Sequence, residues 1–275
     1  MNLGWLSAWR LGIGVGGFGL FWLIETIRPF RRDLATRWSH YMINLTITGS
    51  NALILSLCFG GALVALYQQV ESRRVGLLQG LGIGGWVNAG LTLIVLDGVT
   101  YGWHRAYHGL PLLWRMHRVH HSDQALDVTT SGRFHLAEMG LSALFRLGII
   151  TMWGPSVSAV IIFEIVFGAF NQLEHANLQI PDPWDRWLRA VVVTPSMHRV
   201  HHSQVAAHTN SNYSTIFSWW DRLFGTYRVE SQQEALVIGL PEYSRAADVT
   251  LSKVLAMPLG LSCNDARRLV ATPSR

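Results

Sequence analysis

Long uncharged stretches dominate the first half of the chain and are separated by short polar segments. Met42–Tyr67 and Val75–Leu96 contain no charge, and Trp5–Ile24 contains only Arg10 near its start. About 20 apolar residues cover the hydrocarbon core of a bilayer, so the pattern predicts three transmembrane helices. A fourth uncharged run, Leu147–Phe163, is bounded by Arg146 and Glu164 and interrupted by Gly154-Pro155. Proline inside a helix removes a hydrogen bond and kinks the chain. Residues 134–170 therefore predict two half-length helices in a re-entrant hairpin. Arg28, Arg31, Arg32 and Arg37 crowd the segment after the first span, and such arginines mark cytoplasmic loops. This puts the Glu71–Arg74 loop outside and everything from about Tyr101 onward on the cytoplasmic side.

The expected fold is all-α and integral to a membrane, with three to four transmembrane helices, the hairpin, and a cytoplasmic helical cap. Residues 1–103 form the spans, 104–230 the functional region with its hairpin, and 231–275 a polar tail without an interpretable motif. A bacterial cytoplasmic membrane or the endoplasmic reticulum are the matching locations.

Composition narrows the classes further. Charged residues make up 14% of the chain and hydrophobic ones 49%, against roughly 25% charged in soluble domains. Two cysteines, Cys58 and Cys263, exclude a disulfide framework and a cysteine-held cluster. The net charge of +5 comes without a basic run interleaved with aromatics, so nucleic acid is not an expected partner. Gly12–Gly17 and Gly80–Gly85 both spell GxGxxG. They lie inside apolar spans rather than in a strand-to-helix turn, so they read as helix packing and not as dinucleotide sites.

Twelve histidines carry the chemistry, and eight fall in three clusters: His104/His108, His117/His120/His121 and His198/His201/His202. Met116–Ser122 and Met197–Ser203 are identical seven-residue segments, 81 residues apart. Positions i, i+3 and i+4 share one helix face, so each cluster aims its imidazoles at one point. Thr194-Pro195 marks a helix start before the third cluster. Neutral imidazole is the commonest metal ligand, and eight or more at one level exceed the four of a single zinc ion; two ions are the natural count. His175 is a ninth candidate ligand, with Glu174 beside it as a bridging or supporting carboxylate. His135, near Glu138, and His208 are further candidates. Asp97 stands two turns before His104, placed to hydrogen-bond a ligand ring. A lone histidine such as His40 reads as a hydrogen-bonded structural group, and Asp123 and Asp127 read as loop residues.

The motifs together resemble the fatty acid hydroxylase/sterol desaturase superfamily of membrane di-iron oxygenases. The resemblance runs from Asp97 to Tyr227, through Leu113–Ser122, Arg133–Glu138, Asn171–Asn177, Thr194–Ser203, Asn212-Tyr213 and Trp220–Tyr227. It departs at Asn171, where some members carry a second histidine, and at Leu136, where many carry proline; nine metal-binding histidines rather than ten follow. The resemblance implies two ferrous ions, dioxygen as co-substrate, and hydroxylation or desaturation of an unactivated C–H bond in a lipid or sterol-like substrate. It also implies a separate electron-transfer protein or reductase, with Arg186, Arg189, Arg199 and Arg222 as candidate contacts alongside a lipid-headgroup role. Aromatics such as Tyr101, Trp103, Trp114 and Phe134 could line a substrate entry, alongside the interfacial role common to Trp and Tyr in any membrane protein. A two-zinc membrane hydrolase, a haem carrier and a non-catalytic metal-binding membrane protein are the competing readings. HExxH is absent, and histidines clustered at one helix end do not suit a haem held midway along facing helices.

Overall fold

A computed structural model describes residues 3–32 and 37–260; the last part of the expected tail, Cys263 included, lies outside them. Helices follow in the order α1 (Leu3–Ile27), α2 (Arg37–Ser72), α3 (Leu77–Gly80), α4 (Gly85–Gly109), α5 (Pro111–His121), α6 (Leu136–Trp153), α7 (Val157–His175), α8 (Asp182–Leu188) and α9 (Pro195–His201). Short helical turns complete the described chain, which contains no named strand, only the isolated bridges Val192–Phe217 and Ser203–Ile238. Trp38–Gly80, Leu136–Trp153 and Val157–His175 are long and apolar enough to cross a membrane, and Leu11–Ile27 is a shorter apolar helix. The protein is an all-α integral membrane protein.

Two expectations change. The third predicted span is not one helix from Val75. Gly76, Gly82 and Gly85 all adopt positive φ, which glycine tolerates without steric cost, so the chain turns there and α4 begins ten residues later. The hairpin is also longer than half-length. Its arms have 18 and 19 residues, roughly 27 Å at 1.5 Å per residue, close to the thickness of a hydrocarbon core. Its turn at Gly154 meets the α2–α3 connection: a Cβ on Gly76 would lie 2.5 Å from the Gly154 backbone. The Asn88 Oδ1 accepts from the Ser156 amide at 3.1 Å. The hairpin therefore reaches as far as the start of α4.

At the opposite end, α1, α4 and α7 finish while α2 and α6 begin, so five long helices present one terminus each to the same level. Glu25 at the end of α1 accepts from the amides of Val128 and Asn177, both at 3.0 Å. Arg31 donates to the backbone of Gln233 and Leu236. Residues 231–260 pack into this end rather than trailing from it. Leu236 and Ile238 are buried with Leu126 and Val200, and Val254 and Met257 with Ile47 and Val119. Apolar side chains spaced irregularly through a polar segment give no helical or strand period, which is why the sequence reads as a tail.

Candidate metal centre

Each imidazole is delivered by a helix end. His104 and His108 lie one turn apart at the end of α4. Pro111, at the first position of α5, restarts the chain after an extended Leu110 and carries His117, His120 and His121 inward. Thr194 is extended and Pro195 starts α9, as the sequence predicts. The Thr194 hydroxyl, however, bonds the Ser196 hydroxyl at 3.1 Å instead of capping an amide. His175 closes α7.

The nine side chains form two groups, His104/His108/His117/His121/His201 and His120/His175/His198/His202. Within each group one potential ligand atom per residue lies within 4.8 Å of all the others. The repeated segments divide reciprocally. In α5 the i and i+4 histidines (His117, His121) join the first group and the i+3 histidine (His120) joins the second. In α9 and its C-cap residue, the i and i+4 histidines (His198, His202) join the second group and His201 the first. The two repeats are thus interlocked across both groups, with α4 adding two imidazoles to one and α7 adding one to the other.

The ring nitrogens show that these are not ordinary hydrogen-bonded histidines. The Nδ1 atoms of His104, His201 and His175 donate to the carbonyls of Tyr213, Ser211 and Asn171 at 2.8, 2.6 and 2.6 Å. A carbonyl only accepts, so the Nε2 of each of these neutral rings is bare. Yet His201 Nε2 lies 3.1 Å from His104 Nε2, two lone pairs facing each other without a proton between them. His104 also meets His117 Nε2 at 3.1 Å, and His175 meets the Nε2 atoms of His120 and His198 at 3.1 and 3.0 Å. Both nitrogens of His108 and of His121 are buried without a hydrogen-bond partner. Lone pairs converging in this way suit a cation, and the donor set of each group could hold one.

Burial, reinforced by neighbouring imidazoles, holds His120, His121, His198, His201 and His202 well below the ordinary imidazole range. Burial alone holds His117 at about 3. All six are neutral at physiological pH, the protonation state a metal ligand needs.

The carboxylates around the groups differ from expectation. His117 Nδ1 donates to Glu138 Oε1 at 2.7 Å; Glu138 orients the His117 ring rather than the neighbouring His135. Asp97 does not reach a histidine. It accepts from the amides of Ile216 and Phe217, both at 3.1 Å, and from Trp220 Nε1 at 2.9 Å. Seven residues keep it on the His104 face but roughly 10 Å away along the helix, too far for a ligand ring, and it anchors the cap to α4 instead. Gly98 belongs to this anchor, since a Cβ there would sit 2.8 Å from the Trp220 ring.

Glu174 is buried between the rings of His175 and His198, 3.8 and 3.6 Å from their Nδ1 atoms, beyond hydrogen-bond reach. His135 accepts the Ala137 amide at the start of α6, and His208 Nδ1 contacts the Ser203 hydroxyl; neither joins a group. Asp221, not singled out in the sequence, accepts from the amides of Tyr213 and Ser214 and so fixes the loop whose carbonyl orients His104. Behind His121, Asp123 bonds His40 at 2.7 Å and Asn44 at 2.9 Å. Burial alone would raise the Asp123 carboxyl, but His40 and Arg133 hold it well below the usual range. His40 is the hydrogen-bonded structural group expected of it, whereas Asp123 and Asp127 are buried partners rather than open loop residues.

A cavity of about 340 Å³ opens on these groups between α2, α4, α6 and α7. Its polar end is formed by His104, His117, His120, His175 and His198. Leu55, Leu96, Val99, Phe145, Ile149 and Phe163 supply apolar wall. Trp103 stacks on Phe145 at 4.0 Å and bridges α4 to α6, and Phe134 stacks on His120 at 4.3 Å. Both Phe134 and Trp103 line the cavity, while Trp114 packs against His108 and His121 outside it.

A family model for fatty acid hydroxylases matches residues 89–226, half of the chain. The chain belongs to the fatty acid hydroxylase family. Similar curated members are lipid hydroxylases and monooxygenases. An alkylglycerol monooxygenase of Danio rerio is 33% identical over 144 residues, covering 52% of this chain and 31% of its own length. An ornithine lipid hydroxylase of Rhizobium tropici is 32% identical over 160 residues, 54% of this chain and 44% of its own. The human cholesterol 25-hydroxylase is 30% identical over 145 residues, half of each chain. This family member thus spans between about a quarter and a half of the relatives it matches. No solved structure matches it.

Proposed function

We propose that this protein is an oxygen-dependent lipid hydroxylase with two iron ions, one in each histidine group. The observation that carries the reading is the convergence of bare, neutral imidazole nitrogens on two points at the mouth of an apolar cavity. The five imidazoles of the first group exceed a four-coordinate zinc site, which favours iron over a two-zinc hydrolase. Neutral ligands leave the charge of the ions uncancelled, and the bound pair supplies dioxygen activation and oxygen insertion into a C–H bond.

The residues of the chain do the rest. Carbonyls of Tyr213, Ser211 and Asn171, together with Glu138, fix the tautomer of four ligand rings so that Nε2 faces the ion. The apolar wall takes an acyl or isoprenoid segment out of the hydrocarbon phase and excludes water from the reacting carbon. Ordered aromatic faces at Phe134 and Trp103 limit how that segment lies. Electrons come from a separate donor. The Phe30 amide donates to the Asn177 carbonyl, which sets Arg28, Arg31 and Arg32 near the metal end, and the positive-inside rule supports a cytoplasmic centre.

Lipid extracts from cells expressing wild type or His120→Ala under heavy dioxygen test the assignment by mass spectrometry. A lipid that gains one labelled oxygen only with wild type is expected. Loss of two hydrogens would make the enzyme a desaturase. Identical lipid profiles from a folded, iron-loaded wild type supplied with reductant and from the variant would reject lipid oxidation in that host.

A further inference from the structure

The cap carries a large apolar surface that neither the metal centre nor the cavity uses. Trp184, Trp187 and Leu188 on α8, Val191 just after it, and Leu223 and Phe224 are all exposed, Trp184 by 68%, Trp187 by 77% and Leu223 by 69%. Contiguous patches of this kind on soluble surfaces are uncommon and mark a partner. The two segments are fastened together. The Ser218 hydroxyl donates to the Arg189 carbonyl at 2.7 Å, the Ser218 amide to the Val191 carbonyl, and Arg222 Nη2 to the Arg189 carbonyl at 2.9 Å. The patch is therefore a fixed surface.

Its position identifies what covers it. Trp220 packs on Gly98 and bonds Asp97, and Phe224 stacks on Tyr101 at 5.3 Å. Gly98 is six residues, roughly 9 Å, before His104 along α4, toward the far end of the bundle. The cap thus folds down alongside α4, and the patch lies beside that helix, toward the bundle. Arg186 and Arg222 are exposed on it, with the exposed acid Asp182 at the other end of α8. Arg199, the fourth arginine considered for donor docking, is buried, bonded to Gln233 and Leu178 and set over the Phe30 ring.

We infer that this face is embedded in the lipid leaflet nearest the metal centre, with its tryptophans at the headgroup boundary and Arg186 and Arg222 against anionic headgroups. Amphipathic tryptophan rings favour that boundary, and apolar faces flanked by arginine are the pattern of in-plane membrane anchors. The face sets the height of the histidine groups above the bilayer and is withheld from protein partners.

The full chain with Cys58→Ser and Cys263→Ser, carrying Trp187→Cys or Leu223→Cys labelled with an environment-sensitive fluorophore, tests this in phosphatidylcholine–phosphatidylglycerol nanodiscs. A label at Arg245→Cys, a residue 80% exposed, serves as the aqueous reference. Lipids spin-labelled near the headgroup end of the acyl chain should quench the labels at 187 and 223 several-fold more than the label at 245. Aqueous iodide should show the reverse order. Strong iodide quenching at both 187 and 223 without lipid quenching would overturn the inference and leave the face open for a protein. Protection from both quenchers, with a crosslinked dimer, would assign the face to a second copy and equally overturn it.

Discussion

Replacing Glu138 with alanine removes the carboxylate that holds His117, a 2.7 Å contact between two buried side chains. The ring then loses its orientation and the Nδ1 proton its acceptor, while the other four imidazoles of the first group stay in place. Loss of a group that orients a ligand typically lowers metal affinity 10–100-fold, about 1.4–2.8 kcal/mol. Glu138→Gln keeps an acceptor oxygen for the Nδ1 proton, so glutamine should lose less metal affinity than alanine. Ferrous ion per chain, followed anaerobically as a chelator is raised, reads both variants. One ion should leave the alanine variant at a correspondingly lower chelator concentration, while the ion held by His120, His175, His198 and His202 stays near the wild-type value. Wild-type retention of both ions by Glu138→Ala would refute the reasoning, as would their simultaneous loss from a variant of unchanged thermal stability.

Three further outcomes follow from the same geometry. Asp97→Ala leaves two amides and an indole N–H without their charged acceptor. At about 1–3 kcal/mol for each buried donor left unpaired, the cap should detach from α4 at lower temperature, visible as proteolysis after Arg222; unchanged melting and protease resistance would contradict the anchor. The metal-free chain should weaken in acid. The cap imidazoles are neutral when folded, His117 down to about 3, but protonate near pH 6.5 when unfolded. The unfolded state therefore binds more protons between those values, and stability, complete above about pH 6.5, falls as pH drops, by up to about 1.4 kcal/mol per unit for each ring. A flat melting temperature between pH 7.5 and 5 would be inconsistent with buried neutral rings. Val99→Phe narrows the cavity, so turnover of long substrates should fall relative to short ones, and an unchanged preference in a substrate series would remove Val99 from the substrate path.

The histidine constellation was legible because ligand spacing on a helix is local: i, i+3 and i+4 fix a shared face whatever surrounds it. How α5 and α9 divide their imidazoles between two points was not, because that depends on two helix ends meeting across the bundle. Asp97 shows the limit of helical periodicity. It shares the face of His104, but its partners Ile216, Phe217 and Trp220 come from more than a hundred residues away. Glu138 lies nearest His135 in the sequence, whereas its pairing with His117 crosses from α6 to α5. The spans were readable as uncharged lengths, yet Val75–Leu96 hid a turn because glycines count as uncharged while permitting positive φ. The averaged composition of the cap hides the tryptophans of α8 and the 219–224 segment, which become one surface only once Ser218 joins them.

The central claim is that each histidine group holds one iron ion, and metal analysis of the full chain purified anaerobically with ferrous ion tests it most directly. The account predicts two irons per chain, falling to about one in His108→Ala and in His202→Ala, each of which should lose the ion of its own group. One ion per chain in the wild type, or two zinc ions that ferrous ion does not displace, would contradict it.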